Sequence, residues 1–398
     1  MSPRGATPYL QVVGPRYRQA GRADKKLILD ECCRELGFHR KHVIRLLGGA
    51  QRRRSGRRGR RPKYAAPTML EALQWLYVKT DMLCSKRLKA ALPEWLAFYE
   101  AHVGRLKPAE RHLLLQMSPA TIDRLLSPMR RAGALRGLCG TKPGSLLRNR
   151  IPIRNWHWNT QKAGFVEADT VAHCGGSLEG EFVWSLTMTD IKTGWTECRS
   201  IWNKGGEAVR DAVRDVEQKL PFTLKGFHCD NGSEFLTYHL LRYFSPRKGR
   251  AIAFTRSRPS YRNDAPHVEQ KNWTHPRHLL GYERLDNPLL VGPINQLYAH
   301  EWSQLHNHFM PSAKLCSKTR IGSRYHKTYD TPQTPYQRLM HCCEVSPSTR
   351  SVLKTLHATL DPIKLTDTVR SKLKKILAAP SGNTNYESTN HSFGNTEL

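Results

Sequence analysis

Apolar positions in the first third of the chain recur with a helical period, whereas later ones come in short runs bounded by turn residues. Ile28, Leu29, Cys32, Cys33 and Leu36 make one helical stripe, Gly37 interrupts it, and Val43, Ile44, Leu46 and Leu47 resume it. The spacing predicts a helix-turn-helix over 26–47, with Gly37 in the left-handed position that ends its first helix. Residues 1–22 carry little pattern and read as a flexible basic arm. Over 67–131, Leu70, Leu73, Trp75, Leu76, Leu83, Leu88, Leu92, Trp95, Leu96 and Phe98 supply a second helical core. Ser118-Pro119 reads there as an N-cap followed by a first-turn proline. The helix it opens displays Thr121, Arg124 and Arg130, either as a second helix-turn-helix or as a small bundle that reads no bases.

Residues 132–155 are glycine, proline and arginine without period, a linker. After it the pattern changes class. Residues 165–171, 182–189 and 195–201 read as strands, the last two joined by the turn Asp190-Ile191-Lys192-Thr193-Gly194. A helix over 207–220, a strand over 224–229, a helix over 234–244, a strand over 252–255 and a helix bearing Glu269 follow. That order predicts an α/β fold, a mixed sheet with helices on its faces, preceded by all-α units. Pro276 is expected to kink or end the Glu269 helix. Helices cover 288–309, the stretch beyond 330 is basic and partly helical, and 380–398 reads as a disordered polar tail.

Charge narrows the function. The 398 residues hold 64 Lys and Arg against 33 Asp and Glu, a net charge of +31. The excess is densest in Arg52-Arg53-Arg54-Ser55-Gly56-Arg57-Arg58-Gly59-Arg60-Arg61-Pro62-Lys63, which has no acid. Such a tract points to a polyanion, because basic side chains release counterions condensed on phosphates. Arg58, Arg60 and Arg61 suit either a minor-groove hook or an unspecific tether. Arg40, Lys41 and Arg45 sit where the second helix of the first unit would enter a major groove. Ten cysteines without a C-x-x-C pair read as reduced thiols, and Cys32-Cys33 near His39 and His42 is not a zinc pattern. His306-Asn307-His308 reads as helix-end packing rather than a nuclease motif. No signal peptide or membrane-length apolar run is visible, so the expected location is cytoplasmic, nucleoid-associated when bound to DNA, with no membrane partner.

Three acids carry the candidate chemistry. Asp169 interrupts an apolar strand, where a buried carboxylate without a partner is costly. Glu167 shares its strand face. Asp230 ends a strand before Asn231-Gly232, and Glu269 lies early in a helix with Asn272 and Trp273 on its face. Each has a plain alternative: core interruption, turn chemistry, and a favourable helix-dipole position. Converging carboxylates repel one another unless cations neutralise them, and an oxygen-only donor set suits Mg²⁺ or Mn²⁺, two ions for an in-line phosphoryl displacement. Arg256, Arg258, Arg262, Lys271 and Arg277 would hold the nucleic acid strand nearby.

At these residues the chain resembles the DDE transposase and retroviral integrase superfamily, especially bacterial insertion-sequence transposases with an integrase catalytic core. The resemblance rests on Glu167-Ala168-Asp169-Thr170-Val171, Thr189-Asp190-Ile191-Lys192-Thr193-Gly194-Trp195, Asp230-Asn231-Gly232-Ser233-Glu234-Phe235, and Arg262-Asn263-Asp264 leading to His267-Val268-Glu269-Gln270-Lys271-Asn272. It implies a ribonuclease H-like fold, with Asp169, Asp230 and Glu269 as metal ligands and Glu234 and Asp264 as decoys. It also implies cutting at transposon ends, joining of the 3′ hydroxyl to target DNA, and a homo-oligomer that pairs two ends. The expected organisation is a helix-turn-helix unit over 1–50, a basic linker over 51–66, a second helical unit over 67–131 and a linker over 132–155. A catalytic core over 156–310, a basic region over 311–379 and the tail complete it. The rivals are a transposase-derived DNA-binding regulator that no longer cuts, and a ribonuclease H-like nuclease that hydrolyses without joining.

Overall fold

The computed structural model describes residues 6–48, 63–64, 66–130, 162–245, 252–258 and 266–378. The chain divides into two compact units, Met1–Ala65 and Ala66–Leu398. Among the described residues no helix is long and apolar enough to cross a membrane.

The first unit packs three helices, α1 (Ala6–Gln19), α2 (Arg22–Leu36) and α3 (Arg40–Leu47). The expected basic arm is therefore largely a helix. Tyr9, Val13 and Tyr17 form an i, i+4 row that packs with Leu10 against Ile28, Leu29, Cys32, Val43 and Leu47. Gly14-Pro15 inside α1 hides that row from a reading of period alone. Gly37 does adopt the left-handed conformation, φ 65°, and its N–H donates to Cys33 O at 3.0 Å.

The second unit opens with α4 (Pro67–Lys79), α5 (Ser85–His102), α6 (Pro108–Gln116) and α7 (Pro119–Arg130). Proline starts three of these helices, where a missing N–H costs nothing, and Ser118 Oγ accepts from Thr121 N at 3.2 Å. Leu73, Leu76, Leu88, Leu92, Trp95 and Leu96 are buried. This helical layer is not free-standing. Trp95 Nε1 donates to Phe309 O at 3.0 Å, and His102 meets Asp361 at 2.6 Å.

The sheet contains β1 (Phe165–Ala172), β2 (Val183–Asp190) and β3 (Thr196–Trp202); after α8 (Gly206–Lys219) come β4 (Gly226–Cys229), α9 (Tyr238–Phe244) and β5 (Ala253–Arg256). Its order is β3-β2-β1-β4-β5, with the first three strands antiparallel and β1, β4 and β5 parallel. Alternate residues of each strand face opposite layers. Val166, Ala168, Leu186, Met188 and Phe227 pack with Val209, Val213 and Val216 of α8 and Leu240 and Phe244 of α9. Residues 234–237, expected to open a helix, form turns and bends instead, and α9 starts only after Thr237 Oγ1 caps Leu240 N.

The other face is covered by α10 (Pro266–Asn272), a π-helical turn Trp273–Arg277, α11 (His278–Leu280), α12 (Val291–Leu297), a second π turn Tyr298–Trp302 and α13 (Ser303–Phe309). Pro276 does not end the helix. The π turn absorbs its missing donor, and the chain stays helical to Leu280 before Gly281 turns at φ 72°. Side-chain amides cover the outer edge of β3: Asn295 bonds Ser200 N and O at 2.7 and 2.9 Å, and Asn307 bonds Thr196 N and O at 2.9 Å each. These amides occupy groups that would otherwise template another strand. Beyond lie an unexpected hairpin, β6 (Leu315–Ile321) and β7 (Arg324–Tyr329), then α14 (Pro335–Met340), α15 (Pro347–Thr359) and α16 (Pro362–Leu377). Every described cysteine is free, and Cys32, Cys198, Cys229 and Cys342 are buried.

Candidate active site

Register brings the first two acids together. In the parallel pairing of β1 with β4, Ala168 stands opposite Cys229, so the next residues, Asp169 and Asp230, leave adjacent central strands side by side. Local hydrogen bonds hold each carboxylate. Asp169 Oδ1 accepts from Thr170 N at 2.8 Å, its Oδ2 accepts from Asn272 Nδ2 at 2.6 Å, and Asp230 Oδ1 accepts from Gly232 N at 2.8 Å. Glu234, set aside on sequence, belongs to this cluster. It is 3% exposed, its Oε1 accepts from Thr170 Oγ1 at 2.7 Å, and its Oε2 lacks a hydrogen-bond donor, with Lys204 Nζ at 3.7 Å. Gly232 leaves room for it: a Cβ there would stand 2.7 Å from the Glu234 carboxyl, which would have to shift.

The third acid arrives on α10, which the sheet grips directly. Glu167 Oε2 accepts from His267 N at 2.8 Å and Val268 N at 3.0 Å, while Asn272, on the next turn, reaches Asp169. Glu269 lies between these two anchors with its side chain exposed. Its charge acts on Glu167. Thus Asp169, Asp230 and Glu234 are brought together, and Glu269 is carried one turn from the amide that touches Asp169. Among the described residues no group of three or more His, Cys, Asp and Glu side chains is gathered to hold a metal ion.

Electrostatics mark the cluster as anion-rich. Burial, then the neighbouring Asp230 charge, pushes the Asp169 carboxyl well above the usual carboxylate range against the Thr170 and Asn272 donors. Burial also raises Asp230, opposed by the Gly232 N–H and Lys204 and reinforced by Glu234. Burial lifts Glu167 to about 7 despite its two N–H donors. The cluster thus gathers carboxylates that repel one another, among them a Glu234 oxygen without a hydrogen-bond donor.

No protein-family model matches the chain. It is 39% identical over 338 residues to "Uncharacterized protein y4rM" of Sinorhizobium fredii (strain NBRC 101917 / NGR234), a match spanning 83% of this chain and 94% of that protein. The chain belongs to the y4rM family.

In this y4rM-family member the expected nucleic-acid contacts fall in several places. Arg40 pairs with Asp30 on α2, whereas Lys41 is exposed and exposed Arg45 lies 2.8 Å from His42 Nδ1. Arg124 is exposed on α7, bonded to Thr121 Oγ1 at 3.1 Å. Arg58, Arg60, Arg61 and Arg262 lie outside the described residues. Arg256 corrects the expectation: it is 5% exposed, and its guanidinium donates to Asn231 Oδ1 at 2.8 Å, bracing the turn after Asp230 instead of reaching outward. Lys271 is a second correction. It lies half-buried among Arg87, Cys198, Arg338 and Lys314, and desolvation, then those cations, brings it down to about 7. Two positions after Glu269 on α10, Lys271 does not share that acid's face. Half-buried Arg258 follows β5, and half-buried Arg277 stacks 5.1 Å from the Tyr282 ring. Asn307, within the His306-Asn307-His308 triplet, is spent on the β3 edge. Sequence reasoning missed Glu234 as a cluster member and Asn272 as the partner of Asp169, although the i+3 spacing from Glu269 was its signal.

Proposed function

We propose that the chain is a DNA transposase that binds transposon ends and carries out metal-dependent strand cleavage and 3′-OH strand transfer. The observation that carries this reading is the side-by-side placement of two half-buried aspartates, one on β1 and one just past β4, in a chain of net charge +31. The sheet order and its helix-covered faces support a ribonuclease H-like fold. Asp169, Asp230 and Glu269 would hold two Mg²⁺ or Mn²⁺ ions. Bound there, such ions supply activation of an attacking oxygen and charge stabilisation of the leaving oxygen. The chain's own residues do the positioning. Asn272 orients Asp169, the Gly232 N–H orients Asp230, Glu167 holds the start of α10, and Arg256 stiffens the intervening turn. The exposed cations of α3 and α7 and the 51–64 tract hold DNA, and a homo-oligomer pairs two ends.

The test is incubation of the full chain with Mg²⁺ and a duplex carrying the inverted repeats that flank its gene. Wild type nicks and joins, while Asp169→Asn and Glu269→Gln bind the duplex and do neither. Hydrolysis without joining would indicate a nuclease instead. The exposed position of Glu269 favours one second reading, a regulator that binds DNA without cutting; wild-type binding with no strand chemistry would select it.

A further inference from the structure

The hairpin β6–β7 has no counterpart in the chemistry above. Every residue of both strands is exposed, so the hairpin contributes nothing to a core. Its base, by contrast, is fixed. Lys314 N donates to Asp330 Oδ1 at 2.5 Å, Asp330 N to Lys314 O at 2.9 Å, and Lys314 Nζ to Lys192 O at 2.7 Å. Arg338, 8% exposed, donates to Asp330 Oδ2 and Ser312 O at 2.8 and 2.7 Å. A rigid pedestal thus carries a solvent-surrounded ribbon about 24 Å long.

Its register sorts the side chains. Lys318 stands opposite Lys327 and Arg320 opposite Tyr325, with Ser317 opposite Thr328, Thr319 opposite His326, and Ile321 opposite Arg324. Because paired residues share a face, one face presents Lys318, Lys327, Arg320 and Tyr325. The Lys318 ammonium lies 4.6 Å from the Tyr325 ring. Two lysines directly opposed across a ladder destabilise a hairpin. No acid occurs from Pro311 to Tyr329 to relieve them. Gly322, φ 61°, closes the tip in a two-residue turn that keeps the ribbon narrow.

We infer that β6–β7 is a DNA-binding ribbon whose Lys318, Arg320, Tyr325 and Lys327 face seats in a groove of duplex DNA. A major groove admits a two-stranded ribbon, and the unrelieved cations match the phosphates that line it. A second copy of this chain is a poorer occupant, because a net charge of +31 opposes self-association through a basic surface. The inference rests on the reading of the chain as a DNA-handling protein and adds where the duplex is held.

The experiment measures full-chain binding to a labelled duplex across a KCl series. It compares wild type, the triple variant Lys318→Gln, Arg320→Gln, Lys327→Gln, and a control, Lys364→Gln, Lys374→Gln, Lys375→Gln, on exposed positions of α16. The ribbon variant should weaken binding about tenfold or more and reduce the log–log salt slope by about 2–3, near 0.9 for each lost phosphate contact. The control should keep the wild-type slope. A ribbon variant with wild-type slope beside a DNA-binding wild type overturns the ribbon and leaves the transposase reading standing. Equal losses in both variants reduce the effect to bulk charge and also overturn it. A change confined to oligomeric state, by sedimentation, would make a second copy the occupant. Failure of wild type to bind DNA sinks both readings. Unchanged melting of the ribbon variant shows that the fold is not the cause.

Discussion

Replacing Asp169 by Asn separates the cost of the acidic cluster from its chemistry. The Asp169 carboxyl is raised above its ordinary value of 3.8 by burial and by Asp230. A group whose folded pKa is raised contributes stability that is full below the unfolded value and lost as pH climbs through the folded one. Ionised Asp169 therefore strains the fold near pH 8 and not near pH 4. Asn removes that charge, and the local geometry accommodates it. Its carbonyl keeps the Thr170 N–H, and its NH₂ faces Asn272, whose Oδ1 is buried without a partner and becomes the acceptor when that amide flips. Two charge-assisted hydrogen bonds become neutral ones, a loss of about 1–2 kcal/mol. Each unit of relieved pKa shift returns about 1.4 kcal/mol. The expected net is Asp169→Asn more stable by about 1–3 kcal/mol at pH 8 in chelator, falling to about zero near pH 4. Urea unfolding at the two pH values measures it. Added Mg²⁺ should then stabilise wild type and not the variant. A variant less stable than wild type at pH 8, or a difference that does not change with pH, would refute the reasoning.

Other consequences follow from neighbouring contacts. Glu167, lifted to about 7 from 4.5, contributes stability that is complete below pH 4.5 and lost as pH rises through 7; Glu167→Gln should flatten that window by about 1–3 kcal/mol, read from unfolding between pH 4 and 8. Asn307→Ala strips two hydrogen bonds from Thr196 and should cost about 1–3 kcal/mol while exposing the β3 edge, so thermal melts shift down and light scattering rises. Deleting residues 51–64 removes eight basic side chains and should weaken duplex binding and flatten its salt dependence; an unchanged slope would take the tract out of the interface.

The sheet was legible because its strands are buried on both faces and end at turn residues, so run length and punctuation alone located β1 to β5 within a residue or two. The first helix was not, because Gly14-Pro15 breaks the propensity that Tyr9, Val13 and Tyr17 restore by packing. The hairpin had a readable signal in Ile321-Gly322-Ser323-Arg324, a two-residue turn between alternating residues, but its strands lack the apolar face on which strand patterns depend. The independence expected of 67–131 failed for a different reason. A composition shift at the 132–155 linker marks a change of structural class, whereas the union of the helical layer with the sheet rests on contacts between residues more than two hundred positions apart, such as Trp95 with Phe309.

The same distinction explains what the sequence held about the site. Asp169 and Asp230 meet because parallel pairing at Ala168 and Cys229 leaves no other place for the following residues, so adjacency followed once both strands were assigned. Glu269 obeys no such rule. Its position depends on how α10 is docked, and that is set by Glu167 accepting two N–H groups at the helix start and Asn272 meeting Asp169 a turn later. Those anchors fix the helix axis, and the Glu269 side chain they carry is exposed. The proposed third ligand is thus carried on a helix whose backbone is already tied to the strand that bears Asp169, by Glu167 at its start and by Asn272 one turn later, so the docking of α10, and not strand pairing, decides where that carboxylate stands.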